Sequence, residues 1–243
     1  MIYNVKRMIR KIKNLCLLFT LLIFISSCKI NPEDLPKYGL SAVKELRYNG
    51  SGSLTGYTEY YRSEYGYLTK AIDYNGSHII QHIYTYQYLS SGKMYRINVY
   101  DAGEVLQEYK IYTYDNVTFL LYKITTYNSG GSPQSSLAYY YDSSGKVSQK
   151  RYYNSSDSLI QYESFEYNNF PYPITRKLYN ASDTLLESTD YRNVYNIHRQ
   201  ILSIYSSTGS STVYYYMYYG FLSSIEKYDN SGILIQKITY LYG

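Results

Sequence analysis

Residues 127–154 read YNSGGSPQSSLAYYYDSSGKVSQKRYYN, and this stretch contains one complete unit of the pattern that decides the fold. It begins with a turn sequence, which is followed by a segment of β-favouring residues and by a second turn sequence, YDSSGK. A second segment of β-favouring residues then leads to the next turn. Asn or Asp at the start of such a turn accepts hydrogen bonds from backbone amides, and glycine near its end adopts a positive φ. Each unit therefore predicts two strands of about eight or nine residues, joined by turns of four or five.

The same unit recurs along most of the chain. A second turn lies near the middle of each unit, as in residues 114–116 and 141–145. A regular period of this length indicates a repeat architecture in which neighbouring units pack side by side. The leading turns follow one another at intervals of 26, 26, 27, 26, 26, 26 and 23 residues, and they begin at Tyr48, Tyr74, Tyr100, Tyr127, Tyr153, Tyr179, Tyr205 and Tyr228.

The connections are short, and this sets the direction of the strands. Loops of four or five residues join antiparallel strands, because a parallel crossover needs a dozen or more residues. The segments between turns are rich in Tyr, Ile, Val and Thr, which favour strands over helices. We therefore predict an all-β fold, an open, curved antiparallel β-meander of about eight 26-residue hairpin repeats. It has about 16 strands between Val43 and Tyr242, with two free edges.

Alternation along the predicted strands is weak. In one strand Met94, Arg96, Asn98 and Tyr100 share a face, which combines an aliphatic side chain, polar stems and an aromatic ring. Neither face of the predicted sheet is uniformly apolar. The pattern predicts a thin sheet whose faces are covered by tyrosine rings and by the stems of Lys and Arg. A minority of the 39 tyrosines, on the concave side, are then available for binding.

The amino terminus has the order of an export signal. A basic segment precedes an apolar run at residues 15–25, which spans about 16 Å as a helix and is too short for a hydrocarbon core of about 30 Å. The first 27 residues contain no acid and five basic residues, namely Lys6, Arg7, Arg10, Lys11 and Lys13. The remainder of the chain has 19 basic and 19 acidic residues, so no charge surplus favours nucleic acid as a partner.

The sequence Ile25-Ser26-Ser27-Cys28 at the end of the apolar run resembles the lipobox of bacterial lipoproteins. This resemblance implies that residues 1–27 form a signal-peptide helix and are removed, and that Cys28 carries the lipid, including palmitate. Residues 28–42 are then the lipidated cysteine and its tether, and residues 43–243 are the β-repeat domain. Cys16 lies inside the signal, so Cys28 has no internal disulfide partner. The alternative is an ordinary cleaved signal in which Cys28 is incidental.

Two of the turns have a more specific likeness. Residues 141–147 (YDSSGKV) and 228–234 (YDNSGIL) resemble the YD repeats of Rhs-type and wall-associated proteins, and residues 100–103 and 114–115 match in part. Members of that family form long, curved antiparallel sheets exposed at the cell surface, some of which enclose a toxin domain. The resemblance implies architecture and surface exposure, and it implies no activity.

Residues that could carry chemistry are few. His78 and His82 have i, i+4 spacing, but in a strand their rings lie about 13 Å apart and cannot share a zinc ion. A third histidine is His198. Asp157 and Asp183 recur one period apart; turn formation explains them better than a loop cation does. Pairs such as Glu163 and Glu166 are interpreted as solvated, and no motif predicts a catalytic residue, a metal site or a cofactor.

Three hypotheses follow for function. The first is a lipid-anchored protein of the bacterial cell envelope, at the outer membrane or cell surface, whose non-catalytic domain binds or scaffolds a glycan or a protein. The second is an integral outer-membrane β-barrel, because about 16 antiparallel strands is a porin-like number. Lys and Arg at mid-strand positions on both faces count against it. The third is a glycan-acting enzyme, which lacks a recognisable catalytic pair.

Overall fold

The computed structural model describes residues 42–168, 172–195, 201–206, 209–216 and 221–242. Within these residues no helix has the length and apolar character needed to cross a bilayer. The predicted signal helix and Cys28 lie outside the described residues. The described residues form β1 (Ala42–Asn49), β2 (Leu54–Arg62), β3 (Leu68–Asn75), β4 (Ile80–Tyr88), β5 (Met94–Tyr100), β6 (Leu106–Tyr114), β7 (Leu121–Asn128), β8 (Pro133–Tyr141), β9 (Val147–Asn154), β10 (Leu159–Tyr167), β11 (Pro173–Asn180), β12 (Leu185–Tyr195), β13 (Ile201–Ser206), β14 (Ser211–Tyr216), β15 (Leu222–Tyr228) and β16 (Leu234–Tyr242).

The turns form as the sequence predicts. In the turn after β1, Asn49 Oδ1 accepts hydrogen bonds from the amides of Ser51 and Ser53, at 3.1 and 2.9 Å. In the β8–β9 turn, hydrogen bonds from the Ser144 hydroxyl and from the amides of Lys146 and Ser144 lower the pKa of Asp142. In the turns that follow odd-numbered strands, and in those that follow β2, β4, β6 and β8, the residue before the end of the turn adopts a positive φ. In the turns that follow odd-numbered strands this residue is Gly52, His78, Glu104, Gly131, Asp157, Asp183, Gly209 or Gly232.

The prediction of an open sheet is wrong, because the first and last strands pair with each other. β1 and β16 are antiparallel neighbours, with Glu45 opposite Tyr240 and Asn49 opposite Gln236. Every other strand pairs with its neighbours in sequence, so the 16 strands form one closed barrel. Closure leaves no unpaired edge and removes the need for the edge protection that an open sheet requires.

The registers explain how the ring closes. Following the paired residues once around the barrel returns to β1 displaced by about 18 residues. For 16 strands this displacement corresponds to a strand tilt of about 40°. The tilt lies in the usual range for closed barrels, so the closure needs no unusual strand geometry.

The barrel has an inner and an outer wall that differ in burial. The face that includes Glu45, Ile97 and Ile238 holds the strand residues of both apolar clusters, and we assign it to the inside. A register shift at nearly every strand start modifies the predicted alternation. Met94 is an example, because it packs against Ile97 on the inner wall, whereas Arg96 lies on the outer wall. The prediction that Met94 and Arg96 share a face is therefore wrong.

A tyrosine at the end of a strand fixes the start of the preceding strand in several hairpins. In β9–β10, Tyr167 Oη donates a hydrogen bond to the carbonyl of Val147 at 2.8 Å, and the Lys146 ammonium lies 5.1 Å from the Tyr167 ring centre. The equivalent hydrogen bond, from a tyrosine hydroxyl to the carbonyl 20 residues earlier, joins Tyr88 to Leu68, Tyr141 to Leu121 and Tyr242 to Leu222. The repeat therefore encodes a contact within each of these hairpins in addition to its turns.

Tyr167→Phe tests this contact. The ring remains, but the partly buried carbonyl of Val147 loses its donor, so we expect the free energy of unfolding to fall by about 1 kcal/mol. Tyr61→Phe is the control, because its hydroxyl binds Glu59 at an exposed position and its loss is expected to have almost no effect. Urea denaturation of both variants gives the comparison, and equal losses would contradict the proposed role of the tyrosine hydroxyl.

Candidate functional site

The inner wall contains a cluster of charged side chains beside the closing strand pair. Arg47 contacts two carboxylates, those of Glu45 at 3.2 Å and of Asp73 at hydrogen-bond distance. Its Nη1 also donates to Thr58 Oγ1 at 2.7 Å, and Thr58 in turn donates to Asp73 at 2.8 Å. Tyr60 Oη donates to Glu45, which is only 2% exposed. This cluster links β1, β2 and β3 through buried charges.

A second charged cluster lies on the inner wall at β9–β12. Arg176 contacts Glu163 at 2.7 Å and Glu187 at 2.9 Å. Tyr152 Oη donates to the second oxygen of Glu163 at 3.1 Å, and Thr189 donates to Glu187 at 2.9 Å. The interpretation of Glu163 as solvated is therefore wrong, because it is 6% exposed and fully engaged. Since both of its oxygens serve ion pairs and hydrogen bonds, we assign it a structural role.

Glu166, its partner in the sequence interpretation, lies on the opposite wall. It is exposed and pairs with Lys177 at 2.6 Å. Successive strand residues alternate between the walls, so Glu163 and Glu166, three residues apart, point in opposite directions. The two carboxylates cannot act together as a catalytic pair.

Between the charged clusters, the inner wall is apolar and tightly packed. One apolar cluster runs through β13–β16 and includes Ile204, Tyr214, Ile225, Ile238 and Tyr240, all of them buried. The sequence predicts that a minority of the tyrosines, on the concave side, are available for binding. Here they are buried in the packed wall, so the structure offers no free aromatic surface along this arc.

The outer wall has charged side chains on most of its strands. They lie near the middle of the strands rather than at the rims, and basic residues outnumber acidic ones. Several pair with neighbours, such as Lys44 with Glu59 at 3.2 Å and Lys237 with Glu226 at 2.8 Å. By the strand registers the set comprises Lys44, Glu59, Lys70, Arg96, Lys123, Arg151, Glu166, Lys177, Asp190, Arg192, Glu226 and Lys237.

Stacked tyrosine pairs recur on the outer wall at every second hairpin. Tyr57 and Tyr74 stack with ring centres 4.5 Å apart, and Lys44 lies 3.8 Å from the Tyr57 ring centre. Tyr109 and Tyr127 repeat this arrangement at 5.0 Å, as do Tyr162 and Tyr179 at 4.8 Å. In the first pair a second ring and a cation occupy the neighbourhood of Tyr57, which is buried. These rings stabilise the wall, and we do not treat them as a stacking surface for sugars.

The two rims differ in charge. The rim formed by the turns after odd-numbered strands, the acidic rim, contains five carboxylates and no lysine or arginine. At the other rim, the terminal rim, β1 begins and β16 ends. By sequence, the connections after even-numbered strands contain three acids and three basic residues, Lys93, Lys146 and Arg199. The five carboxylates of the acidic rim are those of Asp101, Glu104, Asp157, Asp183 and Asp229.

The terminal rim includes a strained and exposed aromatic residue. Phe119, in the β6–β7 connection, has a φ of 57°, at a position that glycine occupies in the turns with Gly66, Gly92 and Gly145. A bulky side chain in the left-handed region costs about 1–2 kcal/mol. Phe119 is nonetheless 65% exposed, so packing of its side chain does not offset the cost of this backbone conformation. The Lys93 ammonium lies 5.0 Å from the centre of this ring, at the surface of the rim.

The histidines and aspartates singled out in the sequence have local roles. His78 lies in the turn before β4 with a φ of 62°, and its Nδ1 is 3.2 Å from Tyr57 Oη. Only His82 is part of a strand, so the assumption that both histidines lie on one strand face is wrong. Asp157 and Asp183 adopt positive φ in equivalent turns, and Asp157 accepts a contact from Lys123 at 2.9 Å. No metal-binding group of three or more His, Cys, Asp or Glu side chains occurs in the described part of the chain.

Cys28, the predicted lipid-attachment residue, and His198 lie outside the described residues. The sequence interpretation missed the two inner-wall clusters. A signal was present, since Glu45 and Arg47 alternate along β1 as side chains of one face must. Without knowledge of closure, nothing indicated that this face is the buried one.

The comparisons with known proteins returned fold likenesses alone. No family model and no curated protein matches the sequence. A porin-like protein from Bacteroides uniformis ATCC 8492 is 12% identical over 83% of this chain and 96% of its own, with a TM-score of 0.43. One from Bacteroides vulgatus ATCC 8482 is 11% identical over 83% and 98%, with a TM-score of 0.39. The TcdB2–TccC3 complex is 11% identical over 77% and 14%, at 0.30.

All three TM-scores lie below 0.5, so the functional proposal rests on the barrel itself. The barrel is closed, all its strands are antiparallel, and their number is even. These are the properties of bacterial outer-membrane barrels. The closed 16-strand barrel therefore supports the second hypothesis, an outer-membrane β-barrel, over an open, lipid-anchored repeat scaffold.

Proposed function

We propose that this protein is a β-barrel of the bacterial outer membrane. The pairing of β1 with β16 is the observation that carries the proposal, because it converts a repeat sheet into a closed ring. The even strand number, the sequential antiparallel order and the tilt of about 40° agree with it.

The charged outer wall favours a second form of this proposal, in which the barrel is attached to the membrane surface and does not cross the bilayer. A Lys or Arg at the bilayer midplane costs roughly 2–4 kcal/mol, falling towards zero at the interfaces. Arg96, Arg151 and Lys237 each lie near the middle of their strands on this wall. In this form the lipid on Cys28 provides the attachment, and two or more acyl chains suffice for stable anchoring.

The role that we propose is binding or scaffolding in the envelope, with no catalysis. The buried carboxylates that could serve an enzyme are held by cations and hydroxyls, as Glu45 is by Arg47 and Glu163 by Arg176. A ligand for this role, either a glycan or a protein, cannot stack on the β13–β16 arc of the inner wall, because the tyrosines of that arc are buried.

Cys28→Ala distinguishes the two forms of attachment. Because the outer wall is charged, we expect the variant to move from the membrane fraction to the soluble fraction. Cys16→Ala is the matched control, since this cysteine lies within the predicted signal, and its distribution is expected to be unchanged. Cell fractionation followed by alkaline extraction gives the readout. A Cys28→Ala protein that stays in the pellet and resists extraction would show that the barrel is inserted in the bilayer.

A further inference from the structure

The terminal rim has apolar side chains at the tips of its turns, pointing into solvent. In the β6–β7 connection Val117 is 83% exposed and Phe119 65%, and Tyr65 and Leu89 are exposed in the neighbouring connections. Tyr61, Tyr95 and Tyr122 are exposed at strand ends near the same rim. Exposed apolar side chains mark interaction surfaces. The acidic rim also has them, at Ile79, Val105 and Ile233, so apolar exposure alone does not distinguish the two rims.

The β6–β7 tip is held in place by specific contacts. Asp115 accepts hydrogen bonds from the amides of Val117 and Thr118, at 3.1 and 2.6 Å. Lys93 from the adjacent turn donates to the carbonyl of Phe119, and its ammonium lies 5.0 Å from that ring centre. The tip therefore presents Phe119 in one orientation, although its backbone conformation is one that glycine would adopt without strain.

A lipid surface is the partner that fits this rim. β1 begins here, and the 13 residues from Lys29 to residue 41 separate it from Cys28, so the extended tether reaches at most about 45 Å. The acidic rim, at the other end of the barrel, has five carboxylates and no lysine or arginine, which disfavours approach to anionic headgroups. The terminal rim includes Lys93 and Lys146. The tether is longer than the barrel is tall and permits either orientation, so the difference in charge is what favours the terminal rim as the one that faces the membrane.

We propose that the terminal rim docks on the membrane surface, with Val117 and Phe119 inserted among the lipid headgroups and the acidic rim directed away. This inference rests on the proposed outer-membrane location and specifies how the barrel is oriented there. The barrel axis is then parallel to the membrane normal. The charged outer wall remains in water, which removes the cost of placing its lysines and arginines in lipid.

Single tryptophans test the orientation, because the chain has none of its own. Phe119→Trp reports on the terminal rim, and Val105→Trp (59% exposed in the wild type) reports on the acidic rim. Ser188→Trp, opposite Lys177 on the outer wall, reports on the middle of that wall. Each full-length protein is reconstituted in phosphatidylcholine–phosphatidylglycerol vesicles with and without brominated lipid. We expect the Phe119→Trp emission to shift to the blue and to lose most of its intensity with brominated lipid, and the other two to remain unchanged.

The remaining outcomes identify which proposal fails. Quenching of all three tryptophans, including Ser188→Trp, would place the barrel in the bilayer and overturn rim docking while upholding the outer-membrane location. Quenching of none of them in protein that still floats with the vesicles would overturn rim docking alone. Protein that neither floats with the vesicles nor fractionates with membranes would refute the membrane location itself.

Phe119→Gly separates a membrane role from a structural one. In the Cys28→Ala background, which removes the predicted lipid, we expect vesicle binding to weaken about tenfold or more as the ring is lost. The midpoint of thermal unfolding is expected to rise, because glycine relieves the positive φ. Val105→Ser at the acidic rim is the control and should change neither value. A Phe119→Gly protein that is destabilised and binds vesicles as before would overturn the proposal.

Discussion

Arg176→Met is expected to lower the free energy of unfolding by about 3–5 kcal/mol, because it leaves a buried carboxylate without its cation. Arg176 lies 2.7 Å from Glu163 on the inner wall, and Glu163 is 6% exposed. The remaining hydrogen bond from Tyr152 is neutral and cannot replace the lost charge. Methionine is close to arginine in size, so loss of packing contributes little. Urea denaturation at neutral pH measures the difference.

The next residue along the strand provides the control. Lys177 lies on the outer wall, and its partner Glu166 is exposed, so Lys177→Met is expected to cost about 0–1 kcal/mol. The double variant Glu163→Leu/Arg176→Met removes both charges and is expected to recover much of the stability lost in the single variant. Similar losses for Arg176→Met and Lys177→Met would mean that the two walls have been assigned incorrectly.

Turn chemistry made the strand positions predictable. The Asn-Gly and Asp-Ser-Ser-Gly sequences predict hydrogen bonds to the Asx side chain and a positive φ, and both occur, as at Asn49 and Gly145. This information is local, since each turn involves about five residues that are adjacent in sequence. For the same reason the antiparallel order and the extent of the strands, from β1 at Ala42 to β16 at Tyr242, follow the sequence prediction closely.

Closure of the barrel could not be predicted from the sequence in the same way. Each hairpin has the same turns and the same pairing whether the sheet is open or closed. Closure depends on the register displacement summed over all strands, and a small change in the displacement at each step would leave β1 and β16 apart. The residues that face each other across the seam, such as Leu46 and Thr239, have no distinguishing sequence feature.

The inner-wall clusters were missed because burial follows from closure. In an open, thin sheet Glu163 would face water, which is how the sequence was interpreted. Once the sheet closes into a barrel, one face becomes the inner wall. The side chains on that wall point towards one another, so they become buried. The strand-start register shifts add a second difficulty, because they move residues such as Met94 to the wall opposite to the one that simple alternation predicts.

The closing strand pair can be tested with a disulfide between residues at the two ends of the barrel sequence. Leu46 and Thr239 are direct partners in the β1–β16 register, so cysteines placed there satisfy the Cα separation of about 4.4–6.8 Å that a disulfide requires. In an open sheet of 16 strands the same residues would lie about 70 Å apart. Leu46→Cys/Thr239→Cys, made in the Cys28→Ala background to remove a competing thiol, is therefore expected to cross-link within one chain under mild oxidation.

The cross-link is also expected to stabilise the barrel by about 4–5 kcal/mol, because it closes a loop that contains nearly the whole domain and so restricts the unfolded chain. Leu46→Cys/Ser224→Cys is the control. Ser224 pairs with Thr239 and so lies one strand further from Leu46, at about 10 Å, beyond the reach of a disulfide. Gel mobility without reductant detects the cross-link, and urea denaturation with and without reductant measures its effect. If the Leu46→Cys/Thr239→Cys protein formed disulfides only between chains, β1 and β16 would not be neighbours, and the closed barrel would be refuted together with the membrane function proposed from it.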